Sequence, residues 1–131
     1  MLKVKEISKV KQLNNNMRYE LEERVEKFGE SIIELSKKVR ITSITKSIIE
    51  QLVRSGTSVG ANYFEANGAS SKKDFINKVF ISKKEAKETQ HWLRMLSKAD
   101  QSVIVEAREL YKETQELAMI FSTIITNTKN K

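Results

Sequence analysis

Nowhere in its 131 residues does the chain contain a proline. Proline ends helices and stiffens turns, so a chain without it can carry long uninterrupted helices. It also lacks a main turn-former that a many-stranded β-sandwich would need. Apolar residues accordingly recur at helical spacing. Leu21, Val25, Phe28, Ile32, Leu35 and Val39 step by four and three, the narrow stripe of a helix lying along another helix. Glu20, Glu22 and Glu23 open this segment while Lys37, Lys38 and Arg40 close it, both in the sense the helix dipole favours. A second regular stripe, Val103, Ala107, Leu110, Thr114, Leu117, Phe121 and Ile124, lies near the C-terminus. A third, Phe75, Val79, Ser82, Ala86, Thr89, Leu93 and Leu96, is bulky at its ends and small in its middle. It follows Ser71-Lys72-Lys73-Asp74, the pattern of a capping box.

Residues 51–75, QLVRSGTSVGANYFEANGASSKKDF, have the Ser, Gly, Thr and Asn content of a loop. Yet Ile41, Ile44, Ile48, Leu52, Ser55, Val59, Tyr63 and Ala66 carry one helical stripe straight through the stretch, and Ile49, Val53, Gly56, Gly60 and Phe64 carry a second. A phosphate-binding loop of the Walker type needs Gly-x-x-x-x-Gly-Lys-Ser/Thr after a strand. Here Ala61-Asn62 follows Gly60, and no strand pattern precedes it. The stretch therefore reads as a thin helix. Each interior glycine costs about 1 kcal/mol of helix propensity against alanine, which close packing has to offset. Gly56, Gly60 and Phe64, with Phe80, are the candidate helix-packing or oligomer contacts. The small middle of this helix is expected to face the small middle of the third, and Asn67-Gly68 predicts a left-handed helix stop.

Four amphipathic helices joined by short links near residues 40–42, 68–71 and 100–102 predict an all-α protein, an antiparallel up-and-down four-helix bundle over residues 17–127. Asn14-Asn15-Asn16 is read as a break that sets off a basic N-terminal arm, residues 1–16, and residues 128–131 as a polar tail. A chain of this length is one domain, burying roughly two thirds of its unfolded surface. The absence of cysteine removes disulfides and thiolate metal sites. No signal-type apolar region and no membrane-length apolar run occurs, so a cytoplasmic protein with no membrane partner is expected.

Catalytic chemistry finds little support. Glu88-Thr89-Gln90-His91 has the Glu-x-x-His form of half a di-iron carboxylate site, but the chain's single histidine leaves no second half. Helical counting also places His91 nearly opposite the core stripe, as a surface residue. Glu85 and Glu88 read as salt-bridge or interface groups, and Glu50 with Arg54 as an i, i+4 pair. No metal, no cofactor and no enzymatic activity is expected.

Charge is the remaining signal. The net +7 is uneven: residues 1–18 hold five Lys/Arg against one Glu, and residues 72–98 hold eight against three acids. Segments 19–39 and 103–125 are each net negative. On the third helix Lys73, Lys84, Lys87, His91, Arg94 and Lys98 fall in one sector opposite the core stripe, with Phe80 among them. Clustered cations beside an exposed aromatic suit phosphate neutralisation and base stacking. The alternative is a solvated basic face, with Phe80 and Ile76 in a subunit contact.

Three segments, Leu52-Val53-Arg54-Ser55-Gly56-Thr57-Ser58-Val59-Gly60-Ala61-Asn62, Ser71-Lys72-Lys73-Asp74-Phe75, and Lys84-Glu85-Ala86-Lys87-Glu88-Thr89 with Trp92-Leu93, resemble the signature of the bacterial 23S rRNA intervening-sequence (S23-type) proteins. The resemblance covers residues 51–96. It implies a small bundle protein that assembles into homopentameric rings and has no attributed enzymatic activity. A similar bundle serves a retroelement reverse transcriptase as an accessory factor whose basic ring binds nucleic acid and the polymerase. One departure is Tyr63-Phe64-Glu65, where members often have Ala-Glu-Gly; Phe64 is larger than the usual occupant.

Residues and resemblance together predict a ring-forming homo-oligomer that binds RNA or a ribonucleoprotein through Lys73, Lys84, Lys87, Arg94 and Lys98, helped by Lys3, Lys5, Lys9 and Lys11. The alternative is a homo-oligomeric protein-interaction scaffold with no direct nucleic-acid role.

Overall fold

The computed structural model describes the backbone of residues 4–131, with side chains from residue 17 onward. It contains four α-helices, α1 (Val4–Lys38), α2 (Ser43–Asn67), α3 (Lys72–Ala99) and α4 (Ile104–Lys129), and among the described residues no strand. A 3-10 turn, Gln101–Val103, leads into α4. The stripes identified above converge on one core in which Ile32, Leu52, Val59, Val79, Leu93, Leu96, Leu117 and Phe121 are sealed from solvent.

Helix α2 is the thin one, and its two small faces serve two different neighbours. Against α1, a Cβ added at Gly56 would lie 2.8 Å from Ile32 Cγ1, and one added at Gly60 would lie 3.4 Å from the Val25 carbonyl oxygen. Gly60 thus lets α1 approach to backbone distance, and Gly56 makes room for the Ile32 side chain. Against α3, the Ser82 hydroxyl donates to the Val59 carbonyl at 3.0 Å, and the Thr89 and Ser55 hydroxyls lie 3.0 Å apart. Buried hydroxyls this close to a neighbouring helix need partners, and here each has one. The expectation that the small middles of α2 and α3 face each other holds, with a polar seam between them.

The order of these contacts is informative. Ile32 meets Gly56, Val25 meets Gly60 and Glu22 accepts from the Asn67 amide at 2.7 Å, so position rises along α2 as it falls along α1. Between α2 and α3 the same reversal holds, from Arg54 with Glu88 to Glu65 with Lys78.

Four local expectations are corrected. The Asn14–Asn16 run does not interrupt α1, which is continuous from Val4. Asparagine costs less than about 0.7 kcal/mol per residue in a helix, too little to stop a long one. Residues 4–16 of the expected arm are therefore opening turns of α1, and the side chains of Lys3, Lys5, Lys9 and Lys11 lie outside the described residues. At the other end α4 runs on through Lys129, into the expected tail. Ile41 and Ile44 are not core residues but 63% and 65% exposed. The chain turns into α2 at a capping box instead: Thr42 Oγ1 accepts from the Thr45 N–H at 3.1 Å and Thr45 Oγ1 accepts from the Thr42 N–H at 2.8 Å. Thr45 also donates to the Arg40 carbonyl at 2.7 Å, so a buried threonine takes the place the isoleucine pattern had claimed. Finally, Gly68 ends α2 with φ −99°, not in the left-handed region. Its N–H bonds to the Glu65 carbonyl at 3.1 Å, a tightened last turn that satisfies the orphan carbonyl without a positive φ.

The two glycines of α2 should respond oppositely to alanine. Gly60→Ala meets only ordinary contact and is expected to raise stability by up to about 1 kcal/mol through helix propensity. Gly56→Ala drives a methyl into the buried Ile32 side chain. Overpacking of about 1–3 kcal/mol should outweigh that gain and lower stability by about 1 kcal/mol net. Urea unfolding of both variants checks this; a Gly56→Ala protein more stable than Gly60→Ala would contradict the α1–α2 packing.

Candidate nucleic-acid interface

Helix α3 begins where Ser71 Oγ accepts from the Asp74 N–H at 3.0 Å, the forward half of the predicted capping box. Asp74 stands in the first turn and Lys98 in the last, both favourable to the helix dipole. Val79, Ser82, Ala86, Thr89, Leu93 and Leu96 are buried against the core. On the opposite side, Lys73, Asn77, Phe80, Lys84, Lys87, His91, Arg94 and Lys98 are all exposed, and they follow one another in alternating steps of four and three. This is one straight ridge, about 37 Å long at 1.5 Å per residue.

The ridge is basic because Glu85 and Glu88 of α3 are turned elsewhere. Glu85 and Glu88 lean toward α2, where Arg54 lies between them, 3.4 Å from Glu85 and in direct contact with Glu88. Glu88 also accepts from the Trp92 indole N–H at 2.9 Å. Arg54 therefore pairs across to α3, and not with Glu50 as the i, i+4 spacing implied. Lys78 is likewise held off the ridge, 3.0 Å from Glu65, a hydrogen bond and charge pair that raises its pKa. Among the described residues, Lys73, Lys84, Lys87 and Lys98 make no ion pair, and Arg94 lies 5.5 Å over the Tyr111 ring. The five predicted cations thus share one face, the four lysines without an ion pair among the described residues and Arg94 over the Tyr111 ring.

Phe80 is 50% exposed within the ridge. The other contact candidates separate: Gly56 and Gly60 are used inside the chain against α1, while Phe64 stands 72% exposed on α2. His91 is exposed and packs edge-on against Trp92 at 4.7 Å between ring centroids. With Glu88 engaged by Arg54 and Trp92, the Glu-x-x-His pair is not assembled as a metal half-site. Among the described residues no group of three or more His, Cys, Asp or Glu side chains could hold an ion.

One feature escaped sequence reasoning. Arg24 of α1 ties to α4 by donating to Glu113 at 2.6 and 2.8 Å and by contacting Glu116, and these carboxylates raise its pKa. Below this tie α1 and α4 part, leaving an opening of about 840 Å³ floored by Leu21, Tyr63, Phe75, Ile120 and Ile124. Burial pushes the Tyr63 phenol pKa up, with the Asn67 amide opposing in part. Met119, 71% exposed on the lip, was the available signal, an apolar residue off the α4 stripe.

Residues 17–123 match the 23S rRNA-intervening sequence proteins as a family. The chain belongs to that family. A solved structure of a Bacteroides thetaiotaomicron VPI-5482 protein of unknown function, from the S23 ribosomal protein family, is similar at 32% identity. The likeness covers 79% of this chain and 96% of that one, with a TM-score of 0.69. No curated protein matches the chain. As an intervening-sequence family member it has, among the described residues, no helix long and apolar enough to cross a membrane.

Arg54→Ala is expected to destabilise the protein by about 1 kcal/mol, the upper range for a partly exposed pair, because two carboxylates lose their shared cation. The loss should shrink in high salt, since those carboxylates then repel less. Urea titration followed by the fluorescence of Trp92, the sole tryptophan, reads both effects at the site.

Proposed function

We propose that this intervening-sequence family protein binds RNA, alone or within a ribonucleoprotein, through the α3 ridge, without catalysis. It works in the cytoplasm as a ring-forming homo-oligomer of antiparallel up-and-down bundles, pentameric by resemblance to its family. The observation that carries the proposal is the segregation on α3: Lys73, Lys84, Lys87, Arg94 and Lys98 exposed in line, with Glu85 and Glu88 withdrawn to Arg54. The four lysines, which make no ion pair among the described residues, are available to displace counterions from phosphates, the main source of affinity for a nucleic-acid backbone. Phe80, in the same line, offers a stacking surface for an unpaired base. The family's tie to 23S rRNA intervening sequences accords with an RNA partner.

A second reading, a protein-interaction scaffold, is favoured by one observation: Phe64 is 72% exposed on a helix that contributes nothing to the cation ridge. Charge reversal separates the two. Lys84→Glu with Lys87→Glu should abolish retention of structured RNA at low salt, whereas a protein partner held through Phe64 would stay bound. The milder Lys84→Ala/Lys87→Ala variant should make the log–log salt dependence of RNA affinity shallower by about 1.5, at roughly 0.7–0.9 per lost phosphate contact. Unchanged affinity and slope would exclude the ridge as the RNA site.

A further inference from the structure

One member of the α3 ridge is apolar. Phe80, half exposed, stands between Asn77 and Lys84, while the other ridge positions are all polar or charged. The cations are also unevenly spaced. Lys84, Lys87, Arg94 and Lys98 fall within about 21 Å of helix, whereas about 16.5 Å of ridge between Lys73 and Lys84 carries no cation. Asn77 and Phe80 occupy that interval, three residues apart and so on one face. The ridge is thus divided into a stretch suited to phosphates and a shorter one that offers an aromatic ring beside an amide.

A second flat surface lies in the cation-rich stretch. The exposed Arg94 guanidinium is laid over the half-buried Tyr111 ring of α4, 5.5 Å from its centroid. About 21 Å of helix separates it from Phe80, with Lys84 and Lys87 between them. Aromatic rings and arginine planes interleaved with cations suit a single strand, whose bases are free to stack and whose phosphates follow in file. They suit a duplex poorly. An A-form helix keeps its base faces stacked inside and presents phosphates, 2′-hydroxyls and groove edges, for which lysines suffice and Phe80 has no use.

We propose that the α3 ridge selects unpaired RNA over duplex. One base stacks on Phe80 with its edge toward the Asn77 amide, a second lies against the Arg94 plane, and the phosphates between them meet Lys84 and Lys87. This names the class of RNA bound and rests on the ridge being the RNA site. Within a structured RNA the contact is then a loop or a junction strand, not a stem.

Fluorescence anisotropy at low salt tests it with two RNA probes of equal phosphate number, an unstructured strand of about 12 nucleotides and a fully paired duplex. Phosphate density alone favours the duplex, so tighter binding of the strand reports more than charge. Wild type should bind the strand at least tenfold more tightly. Phe80→Ala and Phe80→Leu should each weaken strand binding by about fivefold or more, the loss of one stacked base, and leave duplex binding unchanged. Phe80→Trp should retain the preference, and Lys84→Ala/Lys87→Ala should weaken both probes. Phe80 lies outside the buried core, and an unchanged urea midpoint confirms that its variants fold. Equal binding of strand and duplex by wild type, or a strand preference that survives Phe80→Ala, overturns the selection; the ridge stands as the RNA site if the lysine variant still weakens both. If the lysine variant binds both probes as wild type does, or wild type binds neither, the ridge reading fails and the selection with it.

Discussion

The structure depends on how closely α2 is approached from two sides. A helix with ordinary side chains keeps its neighbours 8–10 Å away, axis to axis. Gly56 and Gly60 bring α1 in on one side, and Ser55, Val59, Ser82 and Thr89 bring α3 in on the other. The glycines weaken α2 as an isolated helix by about 1 kcal/mol each, so α2 owes its persistence to being clamped. Hydroxyl groups serve the α3 side because a serine or threonine is small and can satisfy its own polar group on a nearby carbonyl, as Ser82 does with Val59.

The same close approach sorts the charges. With α2 and α3 drawn together, Arg54 reaches Glu85 and Glu88, and Glu65 reaches Lys78. Individually such partly exposed pairs contribute little to stability. Their consequence is positional: Glu85 and Glu88 are held against α2, and the lysines on the outer face of α3 stand without ion pairs among the described residues. The local field there is more positive than net charge alone would give, which is how a modest excess of lysine becomes a candidate phosphate-binding surface. Packing between two helices thereby shapes the electrostatics of a third surface that neither contact touches.

Where the sequence misled, a local signal competed with a tertiary or capping interaction. Ile41 and Ile44 extend the apolar period of α2, but Thr42 and Thr45 cap the helix just there, and a cap fixes where a helix starts more strongly than one further apolar residue does. Glu50 and Arg54 have the right spacing along α2, yet two carboxylates on α3 outcompete one on the same helix. Asn67-Gly68 does end α2, by a tightened turn in place of the left-handed one. The α3 ridge, by contrast, was legible residue by residue, because it needs only helical periodicity and a known core face.

What the chain determined by itself is the set of four helices, most of their buried stripes and the outward direction of Lys73, Lys84, Lys87, His91, Arg94 and Lys98. All of these follow from the 3.6-residue period, which is a property of the local backbone. Only the tertiary structure decided that the glycine face of α2 receives α1, which carboxylates Arg54 holds and where α1 and α4 part. Those outcomes depend on distances between residues dozens of positions apart, and on competition among partners that a one-dimensional pattern cannot rank.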